Sequence, residues 1–436
     1  MLYAQARRSR HATITAALLC FAVLALWLRP AEVPAIAAQT TPRVLLVKLS
    51  PQAWQAPQRV LSGHNLAHWE TLRVPGWVRV TVAADRTSAL HDDPAVQAIE
   101  EDHRVHAAIT PDDPSWALQW GPQIVRAPAA WDLHTGSPSV VVAVLDTGID
   151  LQHADLSGQL WTNADEIPGN GLDDDANGYV DDVYGWNVLD GGSNTVDDDY
   201  GHGTHVSGII AARGNNGLGI AGMAWNSRLM IVKVLDENGD GYYSGLAEGL
   251  AYAADNGAQI ANLSLGGSAS SQILQDAIDY AHARGTLIVA SAGNSSTDIQ
   301  YPAASDHTLA VAASTESDVR ARYSCYGPEM DLTAPGSLIY STCMGGGYCF
   351  KSGTSMAAPH VAGLAAVLLA QRPGLTPEQI TQRLIETAHD LNEPGWDPYT
   401  GWGRIDAYSA LARIQFEFNY YFPIVKIDYD SRGTEP

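Results

Sequence analysis

Val140-Val141-Val142-Ala143-Val144-Leu145-Asp146-Thr147-Gly148 is the stretch that decides the fold. Its six opening residues are all apolar and four are valine, so they leave no polar face. A strand with two apolar faces belongs in a parallel sheet covered by helices on both sides. The run ends at a carboxylate, which puts Asp146 at a strand's carboxyl end, where open α/β sheets hold their ligands.

Reading outward, Leu229 to Val234, Ile260 to Leu263, Thr286 to Ala290 and Thr308 to Ala312 repeat the buried-strand character. Between them, Ser244 to Asn256 and Gln272 to Arg284 carry helical spacing, the former closed by Asn256-Gly257. Ser355 to Gln371 reads as a long apolar helix stopped by Pro373-Gly374, and Thr376-Pro377 opens another with a cap and a first-turn proline. Such alternation predicts an α/β domain with a central parallel sheet between two helical layers.

Three blocks carry chemistry: Asp146-Thr147-Gly148, Gly201-His202-Gly203-Thr204-His205, and Gly353-Thr354-Ser355-Met356-Ala357-Ala358-Pro359-His360. They supply a carboxylate, an imidazole and a hydroxyl among small residues. A serine hydroxyl is a weak nucleophile until a base takes its proton and an anion orients that base. Ser355 at a helix start also has free N–H groups and a positive helix end facing a developing oxyanion. His205 competes with His202 for the base, and a zinc reading of the pair lacks the glutamate and the i, i+4 spacing of zinc proteases.

With these blocks the chain resembles the subtilisin-like serine proteases (subtilases), and within them the thermitase-like members, over roughly residues 111–411. The order acid, base, nucleophile is the one found in subtilisin. The resemblance implies a three-layer fold and an endopeptidase that works through an acyl-enzyme. It assigns Asp146, His202 and Ser355 to the triad, with His205 buried and hydrogen-bonded. It also makes Asn294, in Ala292-Gly293-Asn294-Ser295, a side-chain donor to the oxyanion. Gly239 and Gly241 on one edge, and Ser264, Leu265 and Gly266 on the other, are expected to pair with an extended peptide. Main-chain pairing ignores side chains and gives broad specificity. Gln300 aligns with the floor of the primary specificity pocket, where relatives carry small residues, so a shorter and more polar pocket is expected.

Asp173, Asp175 and Asn177 occupy positions one, three and five of a loop with Gly178 at six, the first half of an EF-hand loop. Position twelve is Tyr184 instead of Glu, so Asp181 and Asp182 are the expected closing ligands. A structural calcium ion follows from that pattern. From the resemblance alone comes a second calcium site at Asp113, Asp155 and Asn216.

The chain has 436 residues, with 48 Asp+Glu against 25 Lys+Arg, which argues against nucleic acid as a partner. Arg7, Arg8 and Arg10 precede an apolar run from Ala12 to Leu28, and Ala35-Ile36-Ala37 offers a cleavage site. Residues 1–38 therefore read as an export signal, cleaved or retained as an anchor, and the protein as secreted or held at the cell surface. Residues 39–110 form a separate small α/β unit, with strands at Val44 to Leu49 and Trp77 to Val82 and a helix or strand near Ala95 to Glu100. Its place before the peptidase domain (111–413) resembles the family's propeptide, an intramolecular inhibitor of a precursor that cuts itself between Ala107 and Pro114. Residues 414–436 form an apolar tail of undecided role. Export permits a disulfide. Cys343 and Cys349 flank a glycine-rich turn that allows bridging and leaves Cys325 free, although Cys325 with either partner stays open. A monomer acting on protein or peptide substrates is expected. An idle calcium-binding scaffold and a serine esterase are the rival readings.

Overall fold

A computed structural model describes residues 43–64, 66, 68–82, 90–91, 93–102, 109–392 and 394–412. The export signal, Cys20, the first two residues of the expected self-cleavage junction (Ala107 and Ala108) and the carboxyl-terminal tail lie outside the described residues. Those residues fall into two compact units, 43–102 and 109–412.

The first unit holds strands β1 (Arg43–Leu49), β2 (His68–Thr71), β3 (Trp77–Val82) and β4 (Val96–Glu101), with short helices α1 (Pro51–Trp54) and α2 (Pro57–Leu61). Pairing is antiparallel in the order β2-β3-β1-β4. Leu45, Val47 and Leu49 on β1, and Val78, Val80 and Val82 on β3, are buried at every second position. The register sets Leu45 against Val80 and Val47 against Val78, so one face makes a core with Leu61 and Leu90. The segment near Ala95, read as helix or strand, is strand β4.

The second unit begins with short helices α3 (Trp120–Ile124) and α4 (Ala127–Trp131). Its sheet comprises β5 (Val141–Asp146), β6 (Gly185–Asn187), β7 (Arg228–Lys233), β8 (Ile260–Leu263), β9 (Leu287–Ser291), β10 (Thr308–Ser314) and β11 (Leu332–Pro335). The order is β11-β10-β9-β8-β5-β7-β6, with every pair parallel. Val142 and Val144 point into one core, and Val141, Ala143 and Leu145 into the other. That division is the period-two consequence of an all-apolar strand.

Helices α5 (His202–Ala211) and α8 (Thr354–Gln371) cover the first face, and α6 (Tyr243–Asp255) and α7 (Gln272–Ala283) the second. The fold is therefore a three-layer α/β sandwich about a parallel sheet, as the alternation predicted. The strand order changes sides at β5, with β7 and β6 to one side and β8 to β11 to the other, and the neighbours β7 and β8 both end where β5 ends. This is the crevice in which open sheets bind ligands.

Helices α9 (Pro377–Glu386) and α10 (Ala407–Ala412) complete the unit. Thr376 caps α9 with a full capping box to Gln379. A hairpin, β12 (Ile339–Cys343) and β13 (Gly347–Lys351), is closed by a Cys343–Cys349 disulfide, and Cys325 is free and buried.

Candidate active site

Asp146 ends β5 fully buried, and its carboxylate accepts from His202 Nδ1 at 2.8 and 3.0 Å. Backbone contact enforces the approach. A Cβ on Gly203 would lie 2.1 Å from the Gly148 carbonyl oxygen, so α5 can start this close to β5 only with glycine there. Burial pushes the His202 imidazolium down, but the Asp146 charge and hydrogen bond outweigh it, and its pKa lies above the usual imidazole value. His205 is buried, with Nε2 3.2 Å from the carbonyl oxygens of Ile339 and Cys349. Burial lowers its pKa to about 3.

Asp198 was missed by the sequence reading. Its carboxylate accepts from the N–H groups of Gly201 and Thr204 and from the hydroxyls of Thr147 and Thr204. Burial opposes its charge, and those hydrogen bonds overcome burial and keep the carboxyl below its ordinary range. Asp198 thus neutralises the unpaired N–H groups that open α5. The only sequence signal was an acidic run, Asp197-Asp198-Asp199, just before the glycine.

Ser355 is the second residue of α8. Pro359, four residues on, has no N–H to give the Ser355 carbonyl. The Ser264 hydroxyl takes that carbonyl instead, at 2.9 Å, and so ties the end of β8 to the start of α8. Asn294 Oδ1 accepts from the N–H and hydroxyl of Thr354 at 2.8 and 3.0 Å. With its oxygen so engaged, the exposed Asn294 presents its amide nitrogen beside Gly353, 3.4 Å from where a Cβ would stand. No hydrogen bond joins Ser355 Oγ to His202 among the described residues. The helices that carry them, α5 and α8, pack side by side in one core, and Lys351 Nζ donates to the Gly201 carbonyl at 2.6 Å.

His202, Gly239, Gly241, Ser264, Leu265 and Gly266 line one cleft of about 520 Å³. The Gln300 side chain lies against the far edge. Its Oε1 is 3.0 Å from a Cβ placed on Gly266 and 2.7 Å from one on Gly293. All the residues expected at the two peptide edges therefore face the same space or border it.

The acidic loop brings Asp173 and Asp175 together with Glu166, one carboxylate oxygen from each within 4.8 Å of the others. Glu166 is seven residues upstream of the loop and was not anticipated. Three hard oxygen donors at this spacing, without His or Cys, suit calcium. Asp181 and Asp182 stand outside that trio. Asp181 accepts from the N–H groups of Asn170 and Gly171, while Asp182 accepts from Tyr252, Asn163 and Asn177. Burial holds the Asp182 carboxyl above its usual range. Asn177 bridges the two groups through its amide, donating to Asp175 and Asp182.

Asp113, Asp155 and Asn216 also meet, but as a closed hydrogen-bonded set. Asp155 accepts from Asn216 Nδ2, Ile220 N and the Tyr348 hydroxyl, and Asp113 from the N–H groups of Asn215 and Asn216.

Residues 137–403 match the family model described as the subtilase family. The chain is 40% identical over 325 residues to the thermophilic serine proteinase of Bacillus sp. (strain AK1), covering 74% of each chain. It is 40% identical over 304 residues to thermitase of Thermoactinomyces vulgaris, covering 69% of this chain and 99% of thermitase. A solved protease from Pseudoalteromonas arctica superposes with a TM-score of 0.60 at 31% identity, over 70% of this chain and 99% of that one.

Proposed function

The chain belongs to the subtilase family and is a serine endopeptidase, and from that premise we propose that Ser355 is its nucleophile, His202 its base and Asp146 the orienting carboxylate. The observation that carries this reading is the Asp146–His202 Nδ1 hydrogen bond. It favours the tautomer with a proton on Nδ1 and leaves Nε2 as the acceptor for the Ser355 proton. A bond from Ser355 Oγ to Nε2 forms on substrate binding, since such contacts tighten in the Michaelis complex.

Ser355 Oγ attacks the peptide carbonyl as its proton passes to His202. The oxyanion accepts hydrogen bonds from Asn294 Nδ2 and the Ser355 N–H. His202 then protonates the departing amine, leaving an acyl-enzyme that water, deprotonated by His202, releases. The substrate lies extended between the edges at Gly239 to Gly241 and Ser264 to Gly266. Gln300 shortens the pocket for the residue before the scissile bond, so peptide-library profiles are expected to disfavour Phe and Tyr there. A profile led by those residues refutes this.

The enzyme is exported through residues 1–38 and made as a precursor in which residues 39–110 fold as an inhibitory propeptide ahead of the peptidase domain, 111–413. Support for the propeptide is a small antiparallel unit with its own core directly before that domain. N-terminal sequencing of Ser355→Ala is expected to give an uncut chain. A processed start there, with no other protease present, rules out self-cleavage. Glu166, Asp173 and Asp175 hold a structural calcium ion with no part in the chemistry.

The central test is casein digestion beside Ser355→Ala, with fluorophosphonate labelling mapped by peptide analysis. Label on Ser355 and loss of digestion in the variant are expected. Digestion retained by Ser355→Ala overturns the assignment.

A further inference from the structure

Lys351 ends β13, four residues before Ser355, and is half-buried. Its Nζ donates to the carbonyl of Gly201 at 2.6 Å, and Gly201 is the residue from which α5 starts, immediately before His202. The ammonium makes no ion pair among the described residues, although Asp146 and Asp198 both act on it electrostatically. Burial works against its charge.

The strand that presents Lys351 is held from several directions. Ser341 and Thr342 on β12 donate to the carbonyls of His205 and Thr204. The N–H groups of Gly345 and Gly346 in the hairpin turn bind Asp150 at 2.9 and 3.0 Å. The disulfide closes the hairpin. A lysine on a surface loop would trade its carbonyl for water. This one is presented by a hairpin that has little freedom to withdraw it.

We propose that Lys351 is a positioning residue for catalysis, clamping the carbonyl that precedes His202 and setting a positive charge opposite Asp146 and Asp198. The clamp fixes the entry of α5 and hence the imidazole. The charge disfavours the imidazolium and so favours the neutral, proton-accepting form. Three groups act on His202 electrostatically: Asp146 from β5 and Asp198 from the loop before α5 favour its charge, whereas Lys351 from β13 opposes it; His205, one turn along α5, is held neutral by burial. Two carboxylates alone would leave the base protonated to higher pH. Lys351 is the fixed cation in this set that limits their effect.

This inference rests on His202 being the general base, which His202→Ala tests separately through fluorophosphonate labelling. The experiment on Lys351 is the pH dependence of kcat/KM on a peptide anilide for the native enzyme, Lys351→Met, Lys351→Gln and Lys351→Arg, each normalised to its labelled active-site content. Gln keeps a donor for the Gly201 carbonyl without the charge, and Arg keeps both. The acid limb is expected to move to higher pH by roughly half a unit in the Met and Gln variants alike and to stay in place with Arg. Equal limbs in all four enzymes, with any loss of rate independent of pH, overturn the charge role. Labelling retained by His202→Ala instead overturns the reading of His202 as base.

Discussion

Pro359 shows how one residue can organise a site at a distance. A proline in the second turn of a helix withholds the N–H that would bind the carbonyl four residues back, and here that carbonyl belongs to Ser355. The Ser264 hydroxyl fills the vacancy, so the proposed peptide edge and the proposed nucleophile share a hydrogen bond. Ser264→Ala leaves the carbonyl unpaired, at a cost of about 1–3 kcal/mol. Its expected signature is a lower Tm together with a lower kcat; an unchanged pair of values contradicts the link. Asn294 is the second case. Its oxygen is fixed by Thr354, so its amide nitrogen is oriented before any substrate arrives. Asn294→Ala is expected to lower kcat about 10²–10³-fold while KM moves little, because the donor acts on charge that appears only in the transition state. Steady-state kinetics on an anilide substrate checks this, and a loss carried by KM refutes it.

At the scale of elements, the hairpin of β12 and β13 and helix α5 behave as one piece. His205 sits between them, within 3.2 Å of carbonyls on both hairpin strands. Burial holds its pKa at about 3, and that of the buried His360 in α8 at about 4, against an unfolded value of 6.5. For a histidine with a depressed folded pKa, the unfolded chain binds the proton first. Stability is therefore full above pH 6.5 and falls as pH drops toward 4 and then 3. The limiting slope is about 1.4 kcal/mol per pH unit for each histidine. The raised pKa of His202 contributes in the opposite sense, adding stability below its ordinary value that is lost as pH rises through the raised one. Urea midpoints of Ser355→Ala, which cannot digest itself, are expected to fall between pH 6.5 and 4. His205→Asn should flatten that curve, and an unaltered slope sinks the assignment.

The whole molecule carries a formal charge of −23, and its acidic loop concentrates that excess at Glu166, Asp173 and Asp175. Carboxylates this close repel one another unless a cation intervenes. Calcium that binds only the folded state stabilises it by about 2.7 kcal/mol at a concentration 100 times its Kd. Calcium is expected to raise the Tm of Ser355→Ala, and a chelator to lower it. Glu166→Gln with Asp175→Asn should remove most of that response. If the double variant responds to calcium as fully as its parent, the ion sits elsewhere.

Local chemistry was enough to read the parallel sheet from Val140 to Leu145 and its repeats, the capped start of α9, and the three blocks around Asp146, His202 and Ser355, because each depends on neighbours a few residues away. Strand and helix limits moved by only one or two residues between expectation and structure. Glu166 and Asp198 were illegible. A lone carboxylate acquires meaning only when distant backbone brings donors or other carboxylates to it. The hairpin of β12 and β13 was hidden for the same reason, since its glycine-rich turn looks like any loop until α5 lies beneath it. Spacing alone also gave no sign that Asp182 accepts a hydrogen bond from the Tyr252 hydroxyl, seventy residues away. Spacing along a chain fixes which groups are present. Only the packed structure decides which way each one faces, because that depends on residues the chain brings together from far away.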